Sequence, residues 1–335
     1  MKLVLDAMGG DYAPEQIVKG ALEAAADIKG TIILVGDPER IRPHLGANPP
    51  ANVTIHPASE VIEMDDKPTE ALRKKKDSSI AVAARLVKEG EGDALVAAGN
   101  TGAATAASLL SWRPVPGVYR PAIATPMPGR HGNSLLLDAG ASPDVEPQHL
   151  AQFAVMGRAY AREVMGRVNP TVHLLNIGEE EGKGNAFVKE AYECMRHEPW
   201  FAGNIEPKDM FRNPVDVVVC DGFVGNLMLK CAEGVGEFLF DEIKAAIPSG
   251  PKRLLFAPLR GAMAPLRKKI DYAEYGGSPL LGLNGLCIIC HGRSNARAIA
   301  NALRNAQVAV RGQVVQRIRE SFQAPAEVAE APVQA

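Results

Sequence analysis

Residues 93–102 read Asp93-Ala94-Leu95-Val96-Ala97-Ala98-Gly99-Asn100-Thr101-Gly102, an apolar run that stops abruptly before an alanine-rich stretch. A short apolar run bounded by turn residues reads as a strand buried on both faces, and Asn100 or Thr101 suits the cap of a following helix. The same order returns along the chain. Candidate strands cover residues 2–6, 31–36, 52–56, 93–98, 122–125, 134–138, 171–176, 216–221 and 286–291. Amphipathic helices separate them, such as residues 14–26 with Ile17, Val18, Ala21, Leu22 and Ala25 on one stripe. Strand, turn, helix, strand predicts an α/β fold of three layers, α/β/α, around a mostly parallel sheet.

The composition agrees. Of 335 residues, 46% are apolar and 23% charged, ordinary values for a water-soluble globular chain. With 37 basic and 39 acidic residues, the net charge of −2 leaves no chain-wide footprint for nucleic acid. Asp6 comes too early for a signal-peptide core, and no run of about 18 apolar residues is free of charge. Five scattered cysteines, Cys194, Cys220, Cys231, Cys287 and Cys290, fit a reducing cytoplasm rather than a disulfide framework. The expectation is one large domain over residues 1–322, with an amphipathic helical insertion at about 245–272. Residues 323–335, small and acidic without an apolar stripe, read as a disordered tail.

Ligands of open α/β sheets bind outside the carboxyl ends of the strands. Those tips carry Asp6 with Gly9-Gly10-Asp11, Gly99-Asn100-Thr101-Gly102, Asn176 with Gly178, and Asp221-Gly222. Gly178–Asn185 is neither a Walker A loop nor a dinucleotide fingerprint. Lys183 nevertheless lies between Gly182 and Gly184 at a helix start, where backbone N–H groups, the helix dipole and an ammonium suit an anion. A plain turn is the alternative. For Gly99–Gly102 the readings are phosphate or phosphopantetheine binding, or capping alone.

Cys287-Ile288-Ile289-Cys290-His291 matches a haem-attachment string, but its apolar residues make it a buried strand with the two cysteines on opposite faces. The other histidines show no ligand spacing, so no metal is expected. Arg73-Lys74-Lys75-Lys76 reads as a solvated helix face or as a dock for an acidic partner. In residues 252–270, Leu255, Leu259, Met263, Leu266 and Ile270 keep helical spacing among purely basic charges. That segment either packs a dimer or lies on anionic lipid.

Together these strings form a pattern. Asp6-Ala7-Met8-Gly9-Gly10-Asp11, Lys67-Pro68 through Ser79, Gly99-Asn100-Thr101-Gly102, Asn176 through Asn185 and Asp221-Gly222-Phe223-Val224-Gly225-Asn226 resemble the PlsX-type acyl-acyl carrier protein:phosphate acyltransferases. Tyr275 through Gly282 and His291-Gly292-Arg293-Ser294 complete a resemblance that runs over roughly residues 1–320. One departure is Ser142, where the family usually has Asn. The resemblance implies a fold like that of the isocitrate/isopropylmalate dehydrogenases and phosphotransacetylase, a homodimer and no cofactor. It also implies transfer of an acyl group from acyl carrier protein to inorganic phosphate. The product would pass to a membrane-bound glycerol-3-phosphate acyltransferase in phospholipid synthesis, with the protein held peripherally on the membrane.

Phosphate is already an anionic nucleophile near pH 7, so the reaction needs no metal or triad, only phosphate held beside the thioester and donors for the oxyanion. The resemblance points to Lys183 and Asn226 as catalytic. Asp6, Gly99, Asn100, Thr101, Gly182, Gly184 and His291 are candidates for lining the cleft. A phosphotransacetylase acting on acyl-CoA and a non-enzymatic carrier-protein scaffold on the membrane are the rival readings.

Overall fold

The computed structural model describes residues 1–247, 261 and 271–323. In chain order the described elements are β1 (Lys2–Asp6), α1 (Glu15–Ala24), β2 (Thr31–Gly36), α2 (Pro38–Leu45), β3 (Val53–Pro57), α3 (Pro68–Lys74), α4 (Ser79–Lys88), β4 (Ala94–Ala97) and α5 (Thr101–Trp112). Next come β5 (Ala122–Ile123), β6 (Thr125–Met127), β7 (Ser134–Leu137), α6 (Pro147–Glu163), β8 (Val172–Leu175), α7 (Ala186–Met195), β9 (Phe201–Ile205), α8 (Pro207–Met210) and β10 (Val217–Val219). The long helix α9 (Gly222–Ala246) follows, then α10 (Tyr272–Tyr275), β11 (Ser278–Leu281), β12 (Cys287–Ile289), α11 (Ala296–Arg311) and α12 (Val314–Gln323).

These strands form two sheets. One has the order β3-β2-β1-β4-β12-β11-β5, the other β6-β7-β10-β8-β9. Most pairs are parallel, with β11 antiparallel to both its neighbours and β6 antiparallel to β7. The expected strand at 122–125 does not stay in one sheet. Ala122 pairs with Leu281 of the first, whereas Thr125 pairs with Leu136 of the second. The chain thus passes between the sheets at Ala124.

Alternation on the strands builds the layers. Leu3 and Leu5 pack with Ile17 of α1 and Ile299 of α11, while Val4 turns to the opposite face with Val82 of α4 and Ala107 of α5. In the second sheet Leu135, Leu137, Val217 and Val219 share a cluster with Phe153 of α6. Leu136 and Val218 face the other way, where Met228, Leu229 and Ala232 of α9 pack against them. Cys287 and Cys290 fall in different clusters, on opposite faces of the first sheet as their spacing requires.

Strand β9 carries Gly203 and Asn204, and β11 opens on Ser278-Pro279, so neither reads as a strand from composition. No helix among the described residues is long and apolar enough to cross a membrane. The apolar residues Leu255, Leu259, Met263 and Leu266, most of the expected insertion, and the tail beyond Gln323 lie outside the described residues.

Candidate active site

Strands β1, β4 and β12 are neighbours, so the tips bearing Asp6, Gly99 and His291 converge. The approach of the first two is close enough to require glycine: a Cβ on Gly9 would stand 2.9 Å from Cα of Gly99 and 2.8 Å from Oδ2 of Asp6. The Asp6 side chain is buried and accepts from the Met8 backbone N–H at 3.1 Å. Burial pushes its carboxyl up, opposed by hydrogen bonds from Ser79 and the backbone of Met8 and Gly9. It borders a void of only about 10 Å³, room for no more than a water.

Asn100, rather than Thr101, caps α5, its Oδ1 accepting from Ala103 N at 3.0 Å. Its amide nitrogen donates to the Met64 and Asp66 carbonyls at 2.9 and 3.2 Å. The side chain is therefore committed to the framework, and Thr101 beside it is exposed. His291 is partly buried, with Nε2 3.2 Å from Oε1 of Glu233 on α9. Lys230 reaches the other oxygen of Glu233 at 2.9 Å. Burial opposes ionisation of Glu233, but hydrogen bonds from His291 and Lys230 and their charge bring its pKa down to about 2.

The second group of candidates follows β8 and β10, which pair directly. Beyond β8, Asn176 holds the loop: its Oδ1 accepts from Ile177 N at 2.8 Å and its Nδ2 donates to the Lys183 carbonyl at 3.2 Å. Gly184 has φ of +91°, and a Cβ there would lie 2.8 Å from Asn176 Oδ1, so glycine is required on both counts. Gly182 stands in open space and answers to no such crowding. The Lys183 side chain is half exposed, its ammonium 4.0 Å from Oε2 of Glu180. Asn185 caps α7 by accepting from Val188 N at 2.9 Å.

Beyond β10, Asp221 caps α9, accepting from Phe223 N at 3.0 Å and Val224 N at 2.9 Å. Asn226 sits on the exposed side of the next turn. Between the two loops opens a cavity of about 960 Å³, bordered at its polar end by Asn176, Gly184, Asn185 and Asp221. Its walls are Phe187 and Val188 of α7 and Val224, Leu227, Met228, Cys231, Val235 and Leu239 of α9. Lys183 and Asn226 are chain neighbours of this lining, whereas Asp6, Gly99, Asn100, Thr101 and His291 do not border it. Reading the sequence missed this cavity. The apolar positions of α9 were a signal for it.

Among the described residues no group of three or more His, Cys, Asp or Glu side chains could hold a metal. Burial raises the Cys287 thiol to about 12 and pushes Cys290 and Cys220 up as well.

A family model described as fatty acid synthesis protein matches residues 1–317. The phosphate acyltransferase of Heliobacterium modesticaldum is 53% identical over 329 residues, 96% of this chain and 97% of that protein. That of Desulfitobacterium hafniense is 50% identical over 326 residues, 96% of this chain and 98% of that one. Among solved structures, a phosphotransacetylase from Streptococcus pyogenes superposes with a TM-score of 0.63 at 19% identity, covering 94% of each chain. A 4-hydroxythreonine-4-phosphate dehydrogenase from Klebsiella pneumoniae gives 0.53 at 16% identity, covering 91% of this chain and 98% of that one. These distant likenesses establish the shared α/β fold. At half identity over nearly its full length, the chain belongs to the phosphate acyltransferase family of fatty acid synthesis proteins.

Proposed function

We propose that this chain moves a long-chain acyl group from acyl-[acyl carrier protein] to inorganic phosphate, giving acyl phosphate and free carrier protein for phospholipid synthesis. A phosphate oxygen attacks the thioester carbonyl carbon, and negative charge gathers on the carbonyl oxygen. The C–S bond then breaks, and the phosphopantetheine thiolate leaves and takes a proton from solvent. In this reading the Lys183 ammonium holds phosphate and stabilises the charge of the transition state. The Asn226 amide donates to the oxyanion. Preorganised donors of this kind contribute about 3–4 kcal/mol each.

The observation that carries the reading is the apolar cavity that begins where the Lys183 loop meets the start of α9. Its volume of about 960 Å³ far exceeds what an acetyl group needs, which favours a long acyl chain over the acetyl-CoA rival. Each buried methylene adds about 0.8 kcal/mol to binding. Release of carrier thiol from a purified acyl carrier protein thioester, followed with and without phosphate, tests the proposal. Phosphate-independent release, or none, defeats it.

The protein would act as a homodimer in the cytoplasm, with residues 1–322 as one unit. The exposure of Phe223 and Phe238 along α9, at 66% and 61%, supports a second subunit on that helix. Peripheral attachment to the membrane, near the glycerol-3-phosphate acyltransferase that takes the product, is supported by the apolar and basic spacing of residues 252–270. Sedimentation with anionic but not neutral vesicles is the expected result.

A further inference from the structure

Asp138 has no solvent exposure and takes no part in the chemistry above. It follows β7 of the five-stranded sheet. Its Oδ1 accepts from the backbone N–H groups of Ile123 at 2.8 Å, Gly140 at 3.1 Å and Ala141 at 3.0 Å. Its Oδ2 accepts from Ser142 N at 2.6 Å. Ile123 lies on β5, in the seven-stranded sheet, so one carboxylate joins the two sheets. A backbone bond reinforces the joint, Ala139 N donating to Ile123 O at 2.9 Å, while Asp138 N donates to Cys220 O at 3.0 Å within the five-stranded sheet.

The loop that Asp138 gathers is the floor under the start of α9. Gly222 N donates to Ser142 O at 3.1 Å, and a Cβ on Gly222 would meet Asp138 Oδ2 at 2.5 Å. A Cβ on Gly225 would run into the Asp138 carbonyl oxygen. Gly140, at φ +133°, lies directly beneath Asn226: a Cβ there would stand 3.4 Å from both Cβ and Cγ of Asn226. Gly222, Gly225 and Asn226, at the start of α9, therefore rest on Asp138 and its loop. Ser142 meets Asp138 and Gly222 through its backbone N–H and C=O, contacts that do not depend on its side chain. Its hydroxyl adds a bond to Pro121 O at 2.9 Å.

The geometry points to Asp138 as the positioning residue of Asn226: its carboxylate pins residues 139–142 to both sheets and so sets where the Asn226 amide stands. The inference rests on the reading of Asn226 as the oxyanion donor. A donor displaced by about 1 Å forfeits on the order of 100-fold in rate, so a floor that fixes one turn of helix matters to turnover.

Asp138→Asn keeps the oxygen facing Ile123, Gly140 and Ala141 but sets an amide N–H₂ against the Ser142 N–H. The test is phosphate-dependent thiol release by the full chain, with folding followed by circular dichroism. The expected result is a folded variant with kcat lowered about 10–100-fold and KM for phosphate within about twofold. In the Asn226→Ala background the same change should cost less than about threefold more, because there is no amide left to misplace. If Asp138→Asn does not fold, Gly140→Ala, which at φ +133° strains the loop directly beneath Asn226, should show the same cycle. Wild-type turnover of either folded variant, or a loss that multiplies in full with that of Asn226→Ala, overturns the inference while leaving Asn226 in place. Wild-type turnover of Asn226→Ala alone removes Asn226 from the chemistry, and with it anything for Asp138 to position.

Discussion

Nε2 of His291 lies 3.2 Å from Oε1 of Glu233. The contact joins the tip of β12, in the seven-stranded sheet, to the middle of the helix that leaves the five-stranded one. Glu233 titrates at about 2, below the ordinary 4.5. The folded protein therefore binds fewer protons than the unfolded chain between those values, and stability rises with pH there. This contribution is complete above about 4.5 and is lost as pH falls through about 2. Thermal unfolding between pH 5 and pH 2 should show a flatter decline for Glu233→Gln than for wild type. Identical declines would mean that the contact does not stabilise the fold.

Lys183→Ala should lower kcat by about 10²–10³ and leave unfolding unchanged, since a half-exposed loop side chain is removed. Asn226→Ala should cost a similar factor. Acting on one transition state, the pair should lose less together than the product of the single losses. Fully multiplicative losses would place the two residues in separate events.

Val188 on α7 lines the cavity. Val188→Trp should fill part of it and shorten the acyl chain that is accepted. Loss of room for two methylenes corresponds to roughly 1.6 kcal/mol, about 15-fold in kcat/KM for long chains, with short chains little affected. An equal loss across a chain-length series would take the acyl group out of this cavity.

Cys194 and Cys231 are exposed, whereas Cys220, Cys287 and Cys290 are buried with raised pKa values. Alkylation followed by peptide mass mapping should label Cys194 in the native protein and Cys220, Cys287 and Cys290 only after unfolding. Rapid native labelling of Cys287 or Cys290 would contradict the packing of β12.

The strands were legible where the chain is buried on both faces, because parallel strands such as β1 and β4 are unbroken apolar runs. Strands β9 and β11 were hidden by Gly203, Asn204 and Pro279, residues whose local chemistry reads as turn. The partition into two sheets was not legible either. It depends on the chain changing partners at Ala124, a long-range choice that no local pattern records. The strand tips drew attention to Asn100, but not to its amide being spent on the framework. Asp138 looked like any other acidic tip. Only its burial beneath α9, with four backbone donors around one carboxylate, sets it apart.

In the proposed reaction phosphate itself takes the acyl group. With labelled phosphate and a long-chain acyl carrier protein thioester, mass spectrometry of the products should find one acyl phosphate carrying the label for each carrier thiol released. Free fatty acid in place of acyl phosphate, or thiol release that ignores phosphate, would contradict it.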